Sequence, residues 1–380
     1  MCKDVLKFVY FMFILCGFNY KAWQITDVKK LRSHLLDGYV KDIFPIQNET
    51  DSLNLDIYFH LLSIDSFNEV EGRIIVTAAL QIIWKDPSFT WDPVLYGGKS
   101  KLYISSDHIW TPLIYLLYTP GEMKSVGEDI EYVILIYHDG TVIYAPGGVM
   151  NTKCDTDVSR FPFDVQTCNL NFLTWGIEPN ILIFSNEFNS AGTDHYVDNP
   201  DWKLMNTETY VGDINSYHVK ITIKRNPLYY VIMIILPTMF FCILNPLVFL
   251  LPTESGERMS LAISILLSYA IFLTLMSSSI PATSNPICYL LVAMIAVIFV
   301  SGLIIKLLII SAAFYYEEKV KISSCCKLVL IVAGRRHFIH KEDLSGKQIS
   351  KILDKMFIVI SYSMITVVMS IMVIFIVKIE

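Results

Sequence analysis

Charge is scarce in this 380-residue chain: Asp, Glu, Lys and Arg make up 17% of it, against 53% hydrophobic residues. That balance excludes a disordered chain and argues against a wholly soluble one. A basic surplus is also missing. With 30 Lys and Arg against 36 Asp and Glu, the net charge is −6; nothing is clustered to neutralise a phosphate backbone, so nucleic acid is excluded as a partner. Catalytic signatures are absent too. There is no Gly-x-Ser-x-Gly, no His-Glu-x-x-His and no phosphate-cradling loop. His34, His60, His108, His138, His195 and His218 are scattered without metal-ligand spacing. An enzyme is therefore not expected, nor a cofactor or a bound metal. Long apolar runs are missing from residues 22–226, where the charged residues crowd. The length favours two domains, and the composition makes one soluble and one membrane-embedded.

Four long apolar runs follow Pro227: 228–251, 260–280, 287–313 and 356–377. Each is long enough to cross a hydrocarbon core of about 30 Å. The first, third and fourth are nearly uniform in Leu, Ile, Val, Met and Phe, whereas the second carries Ser260, Ser264, Ser268, Thr274, Ser277, Ser278 and Ser279. At the start, Met1-Cys2-Lys3-Asp4-Val5-Leu6-Lys7 precedes a short apolar stretch, Phe8 to Phe18. It is too short to span and reads as a cleaved secretory signal over residues 1–20, with a signal anchor as the alternative. A cleaved signal places 21–226 outside, and four spans return the C-terminus there. The loop 314–355 is then cytoplasmic, and its excess of Lys and Arg agrees with the positive-inside rule. Within it, Ile322–Val332 is apolar around Lys327 and has the length of an interfacial helix.

The soluble half alternates apolar and polar residues in short runs: Leu53–Ile64, Arg73–Ile83, Tyr132–Tyr137, Thr141–Tyr144, Asn169–Phe172 and Tyr217–Ile223. His138-Asp139-Gly140 is a hairpin signal, and only Asp27–Tyr39 has helical periodicity. Many short strands with regular turns predict a β-sandwich. Asn48-Glu49-Thr50 is a glycosylation sequon, used or unused. Of eight cysteines, Cys2 and Cys16 lie in the signal, Cys242 and Cys288 in spans, and Cys325 and Cys326 in the cytoplasmic loop. Cys154 and Cys168 remain as the extracellular pair, expected to form a disulfide.

Thirteen residues separate those two cysteines, with Phe161-Pro162-Phe163-Asp164 among them. This stretch resembles the signature loop of the Cys-loop pentameric ligand-gated ion channels. The segment Gly256-Glu257-Arg258-Met259-Ser260-Leu261-Ala262-Ile263-Ser264-Ile265-Leu266-Leu267-Ser268 and the segment Arg225-Asn226-Pro227-Leu228-Tyr229 are similar to the nicotinic acetylcholine receptor branch, in a divergent, invertebrate-type and non-α-like form. The resemblance runs from about Leu31 to the end of the fourth span. It implies an all-β, immunoglobulin-like sandwich outside the membrane (21–226), followed by an all-α domain of four transmembrane helices (227–380).

On the second span Ser260, Ser264, Leu267, Ile271, Leu275 and Ser278 recur every three or four residues and share one helix face. That face is the candidate pore lining, with Leu267 and Ile271 as hydrophobic constrictions that gate by dewetting. The alternative is that the serines pack helix against helix. Glu257, five times repeated, makes an anionic ring favouring cations; alternatively it is a solvated acid at a helix N-terminus. Gly256-Glu257 resembles the cation-selective pattern, so Na⁺ and K⁺, with Ca²⁺ open, are the implied permeant ions. Ser277-Ser278-Ser279 stands where an acidic ring is common in relatives.

Nicotinic-type pockets hold an amine in an aromatic box by cation–π attraction. Trp175, seven residues past Cys168, matches the family's central tryptophan. Trp84, Trp91 and Trp110 match core residues. Other box positions are eroded: the usual Asp falls on Leu113, the usual Tyr on Leu117 beside Tyr118, and the complementary aromatic on Ala79. No adjacent cysteine pair lies between Trp202 and Arg225, so the chain does not look like an α-type subunit. Tyr210 and Tyr217 are candidates for a capping loop, Tyr217 alternatively a strand residue. For coupling the two halves, the resemblance matches Glu69 and Arg225 as an ion pair, moving or static. It places Phe161, Pro162, Phe163 and Asp164 on the loop around Pro281. The implied function is a subunit of a cation-selective channel opened by extracellular acetylcholine or a related amine. It would work as an accessory subunit with four homologous, α-type partners, or as an agonist-binding homomer for another small ligand. The implied setting is the lipid of a plasma membrane, postsynaptic or otherwise neuronal or muscular. A non-conducting adhesive or ligand-capturing receptor is the alternative of another class, against which the polar stripe argues.

Overall fold

The computed structural model describes residues 25–46, 48, 51–178, 180–212, 216–278, 280–281, 285–318, 320–321 and 343–377. The signal reading over 1–20, Glu49 and Thr50 of the sequon, Ser279, residues 282–284, Ile322–Val332 with Cys325 and Cys326, and the C-terminus at 378–380 lie outside the described residues.

Helix α1 (Ile25–Leu36) leads into eleven strands: β1 (Leu53–Asn68), β2 (Arg73–Thr90), β3 (Lys101–Ser105), β4 (Ile114–Leu116), β5 (Val133–Tyr137), β6 (Asp139–Tyr144), β7 (Gly147–Lys153), β8 (Val165–Thr174), β9 (Leu182–Ser185), β10 (Trp202–Gly212) and β11 (Ser216–Arg225). One sheet runs β3-β5-β6-β2-β1-β9, with β7 also on β2, and the other runs β10-β11-β8-β4. The strands are longer than the apolar runs that announce them, because alternation continues into polar ends that sequence pattern assigns to turns. β3, β4 and β9 are too short, and β7 and β10 too weakly alternating, to stand out in the sequence, and none of the five is among the expected strands. The hairpin at His138-Asp139-Gly140 joins β5 to β6. Gly140 sits at a φ of +82°, and a Cβ there would lie 2.7 Å from the Asp86 carbonyl oxygen, so only glycine fits.

The two sheets bury their facing rows. In β11 every second residue points inward: Tyr217, Val219, Ile221 and Ile223 are fully buried. They meet Leu55, Ile57, Phe59 and Leu80 in one continuous core that also holds Trp84, Trp91, Trp110 and Trp202. The family-type core tryptophans are thus structural. Trp84 and Trp110 meet edge to face at 5.7 Å, and Trp91 donates its Nε1–H to the Lys99 carbonyl at 2.6 Å. Cys154 and Cys168 are bonded.

Four helices long and apolar enough to cross a membrane follow: α2 (Leu228–Leu250), α3 (Glu257–Ser278), α4 (Tyr289–Tyr315) and α5 (Gly346–Val377). α2 opens with a π-turn at Val231–Ile235, just before Pro237, which has no N–H to return to the preceding turn. α5 starts ten residues before the apolar run at 356, inside the segment read as loop. Hydropathy misses these turns because Lys347, Lys351 and Lys355 line the exposed face and Asp354 joins Ile349, Leu353 and Phe357 on the buried one.

Candidate functional site

β11 carries its inward alternation one step too far for a hydrophobic core. After Ile223 the next inward residue is Arg225, only 4% exposed. A buried guanidinium needs partners. Its Nε donates to Asp164 Oδ1 at 2.7 Å and its Nη2 to Asp164 Oδ2 at 3.1 Å. Nη2 also reaches Glu69 Oε1 at 2.5 Å. Burial works to lower the Arg225 pKa, but the bonds and charges of Asp164 and Glu69 outweigh it and hold the guanidinium more firmly protonated than usual. Three rings enclose the cation: Trp202 at 4.2 Å, Phe161 at 4.9 Å and Tyr230 at 5.3 Å. Gln166 locks the acid in turn, donating to Asp164 Oδ2 at 2.6 Å and to the Asp157 carbonyl at 2.8 Å.

This cage is where the sandwich meets the helices. Val158 and Phe161 from the disulfide loop pack with Ile234 of α2, with Met276 and Ile280 at the end of α3, and with Cys288, Leu290 and Met294 around the start of α4. The Tyr289 N–H donates to the Ser159 carbonyl at 3.1 Å. Pro162 and Pro281 are also buried, whereas Phe163 is exposed. The expected pair Glu69–Arg225 is therefore one arm of a larger cluster. Asp164 as the bidentate partner, and Trp202 and Tyr230 as walls, were not read from sequence in those roles. The signal was present in β11 as a cation in register with four apolar inward positions.

The second candidate element is α3. Arg258, Ala262, Ile265, Tyr269 and Met276 are buried against the other helices. The expected stripe Ser260, Ser264, Leu267, Ile271, Leu275 and Ser278 lies entirely on the exposed side. The exposed arc is wider than the stripe, since Leu261, Ile263 and Thr274 share it. The hydroxyls are satisfied within the helix: Ser264 donates to the Ser260 carbonyl at 2.8 Å and Ser278 to the Leu275 carbonyl at 2.8 Å. Each hydroxyl oxygen stays free to accept from water or face an ion. Glu257 is exposed in the first turn of the helix. The base of α3 is anchored by Arg258, which donates to Asp354 of α5 at 3.1 and 2.9 Å and to the Leu251 and Phe249 carbonyls. Ser311 of α4 donates to the same carboxylate at 2.5 Å. Neither Arg258 nor Asp354 was singled out as an anchor from sequence. The clue was one acid in the buried register Ser350-Leu353-Asp354-Phe357 of a membrane helix.

Trp175 just beyond β8, Tyr118 just beyond β4 and Tyr210 on β10 are all exposed. In the strand pairing Ile114 stands opposite Thr174, so Leu113 is the residue in register with Trp175 and Tyr118 lies further along. Tyr210 stacks on His218 at 4.9 Å. His218 bonds Ser216 Oγ at 2.7 Å and Asn171 Oδ1 at 2.6 Å, and burial lowers its pKa. Tyr217 is corrected from a ligand contact to a core residue: it is fully buried, packs near Phe172, and burial pushes its phenol up to about 12. Asn48 is exposed and donates to Asp51 Oδ2 at 3.0 Å. Among the described residues no group of His, Cys, Asp and Glu could hold a metal.

A two-sheet sandwich, closed at its base by an ionic cage, sits on four helices able to span a membrane; these define a membrane receptor with an external β-domain. Residues 28–227 match the model of the neurotransmitter-gated ion-channel ligand binding domain, and 234–321 match that of the neurotransmitter-gated ion-channel transmembrane region. The chain belongs to the neurotransmitter-gated ion-channel family, a family of channels rather than enzymes, and is a multi-pass plasma-membrane protein. It is similar to acetylcholine receptor subunit alpha-1-B of Xenopus laevis, 28% identical over 302 residues, covering 76% of this chain and 65% of the relative. Acetylcholine receptor subunit alpha-L1 of Schistocerca gregaria is 32% identical over 276 residues, covering 68% and 49%. Acetylcholine receptor subunit beta-like 1 of Drosophila melanogaster is 32% identical over 270 residues, covering 68% and 51%. The chain spans about half to two-thirds of the length of these curated relatives.

Proposed function

We propose that this chain is a subunit of a cation-selective pentameric channel opened by extracellular acetylcholine or a related amine, working as an accessory subunit beside α-type partners. The observation that carries the channel reading is the exposed stripe of α3. Hydroxyls at Ser260 and Ser264 followed by Leu267, Ile271 and Leu275 suit a water-filled pore with an apolar gate. A lone anchor gains nothing from that order. Glu257 supports cation selectivity, because five carboxylates at one level attract cations and repel anions. The proposed permeant ions are Na⁺ and K⁺, with Ca²⁺ open. The accessory role is supported by the box: Leu113, Leu117 and Ala79 replace its polar and aromatic members, Tyr217 is buried in the core, and no adjacent cysteine pair precedes Arg225. Of the four rings expected there, Trp175, Tyr118 and Tyr210 are exposed and Tyr217 is not.

In this reading both termini are extracellular, and the cage at Arg225 couples the two halves. The disulfide loop touches the ends of α2, α3 and α4 at one place, so movement of the sandwich bears directly on the helix proposed to line the pore. A postsynaptic or other excitable membrane is the proposed setting. The test is expression in oocytes, alone and with an α-type subunit, with surface labelling in both cases. The expected result is surface protein without acetylcholine current when alone, and current reversing near 0 mV when paired. Current from the chain alone would overturn the accessory role; anion-selective current would overturn the role given to Glu257.

A further inference from the structure

The outer face of the second sheet carries a cluster that neither the cage nor the stripe of α3 uses. In β11 Tyr217 and Val219 point inward, so Ser216, His218 and Lys220 share the outer face. His218 stands opposite Asn171 of β8 on one side and Tyr210 of β10 on the other. Its Nδ1 lies 2.6 Å from Asn171 Oδ1 and its Nε2 lies 2.7 Å from Ser216 Oγ, while Tyr210 stacks on the ring at 4.9 Å. The charged groups beside it, Lys220 and Glu208, pair with each other at 3.2 Å. Burial lowers the His218 pKa, so the ring is neutral at physiological pH. An amide oxygen only accepts, so Nδ1 carries the ring proton. Nε2 then only accepts, and the Ser216 hydroxyl donates to it. A Cβ at Gly212 would lie 2.6 Å from Nε2 and 2.8 Å from Ser216 Oγ, so only glycine lets β10 approach this closely. Ser216, His218 and Asn171 are each partly exposed, so the hydroxyl is within reach of a reagent.

A hydroxyl on a base that a third group orients is the arrangement that activates a nucleophile. We infer that Ser216 is a covalent acceptor site for activated phosphonyl esters, with His218 as the general base and Asn171 as the positioning residue. The Ser216 proton passes to His218 Nε2 and the Oγ–P bond forms. The bond from phosphorus to its leaving group breaks, the leaving group departs as an anion, and the imidazolium returns its proton to water. An amide or an ordinary carboxylic ester also asks for an acid on the leaving group and for donors to an oxyanion. A phosphonyl centre with a good leaving group asks only for the nucleophile and its base, which this face supplies. One adduct forms per chain and no turnover follows, so the site makes the channel a target of this chemistry and not an enzyme.

The test depends on neither current nor orientation in the membrane. Open membranes from cells expressing the full chain are treated with a biotin-bearing alkyl fluorophosphonate, whose leaving group is fluoride. Adducts on this chain are mapped and timed by mass spectrometry. The adduct is expected on Ser216. It should form roughly a hundredfold more slowly in His218→Gln, and more slowly in the native chain as pH falls from 7.5 to 5 and the ring takes up its proton. Asn171→Asp should keep the adduct and move that pH dependence upward, because a carboxylate favours the imidazolium; an unmoved dependence would remove Asn171 from the positioning role. Resistance of the β-domain to limited proteolysis checks that each variant is folded. No adduct on Ser216, labelling spread evenly over exposed serines, or an undiminished rate in His218→Gln would overturn the site.

Discussion

Arg225 is the residue on which the junction turns. It is a cation on the inward face of a strand, buried to 4% exposure and held by Asp164 and Glu69. Replacing it by glutamine leaves the buried Asp164 and the partly buried Glu69 without their counter-charge. Arg225→Gln should therefore cost about 3–5 kcal/mol, read as a large drop in thermal midpoint and in surface delivery. Adding Glu69→Gln and Asp164→Asn should recover much of the loss, because neutral amides carry far less desolvation cost; no recovery would mean the ring cage rather than charge dominates. His218 makes a second, smaller prediction. Its pKa is lowered by burial, so the unfolded chain takes up the proton more readily than the folded one. The stability it lends is present above the unfolded value of about 6.5 and is lost as pH falls below it. The difference in thermal midpoint between the native chain and His218→Gln should shrink between pH 7.5 and pH 5. At this scale the sequence made Glu69, Asp164 and Arg225 visible as family positions but not the bidentate geometry joining two of them. That depends on β8 and β11 lying side by side, which spacing alone does not reveal. Tyr217 shows the same limit: a tyrosine near a loop and a tyrosine in a core differ only by which face of the strand it occupies.

Among the elements, α3 is the one whose pattern has a functional reading. One face is packed and the other is open, and the open one carries hydroxyls at Ser260 and Ser264, branched apolar side chains at Leu267, Ile271 and Leu275, and a hydroxyl again at Ser278. If Leu267 forms a ring that gates by dewetting, Leu267→Ser wets it. The paired channel should then open at a lower agonist concentration and leak at rest, whereas Ile265→Val on the packed face should leave the concentration dependence unchanged. An agonist response indifferent to Leu267→Ser would remove the gate from this position. The apolar stretches of the four helices were legible because membrane length and hydropathy are read directly from composition. The start of α5 was not, since its first turns are amphipathic and charged and are recognised only once Asp354 is seen under Arg258. β10 was missed for a related reason: its inward row mixes Trp202, Thr207 and Thr209, which a hydrophobic pattern does not register.

For the whole molecule, the disulfide loop is where the β-domain packs on the helical domain. The Cys154–Cys168 bond closes a short loop whose Val158 and Phe161 seat on the helices. Opening it with Cys154→Ser and Cys168→Ser together should cost about 3 kcal/mol by the chain-entropy argument. It should reduce folded protein at the surface more than it changes the current per surviving channel, measured by surface labelling against peak current. The division into sandwich and spans was plain from composition. The wide exposed surface of α3 was not, because it is formed by what the other three helices leave uncovered.

The central claim is that this exposed face lines a water-filled pore. It is tested most directly by cysteine accessibility in the paired channel, with Ser264→Cys, Leu267→Cys and Ile271→Cys set against the packed-face control Ile265→Cys. A charged, water-soluble thiol reagent should alter the current of the first three within seconds to minutes and leave Ile265→Cys untouched. No effect at Ser264, Leu267 and Ile271, or an equal effect at Ile265, would contradict the assignment of α3 as the pore helix.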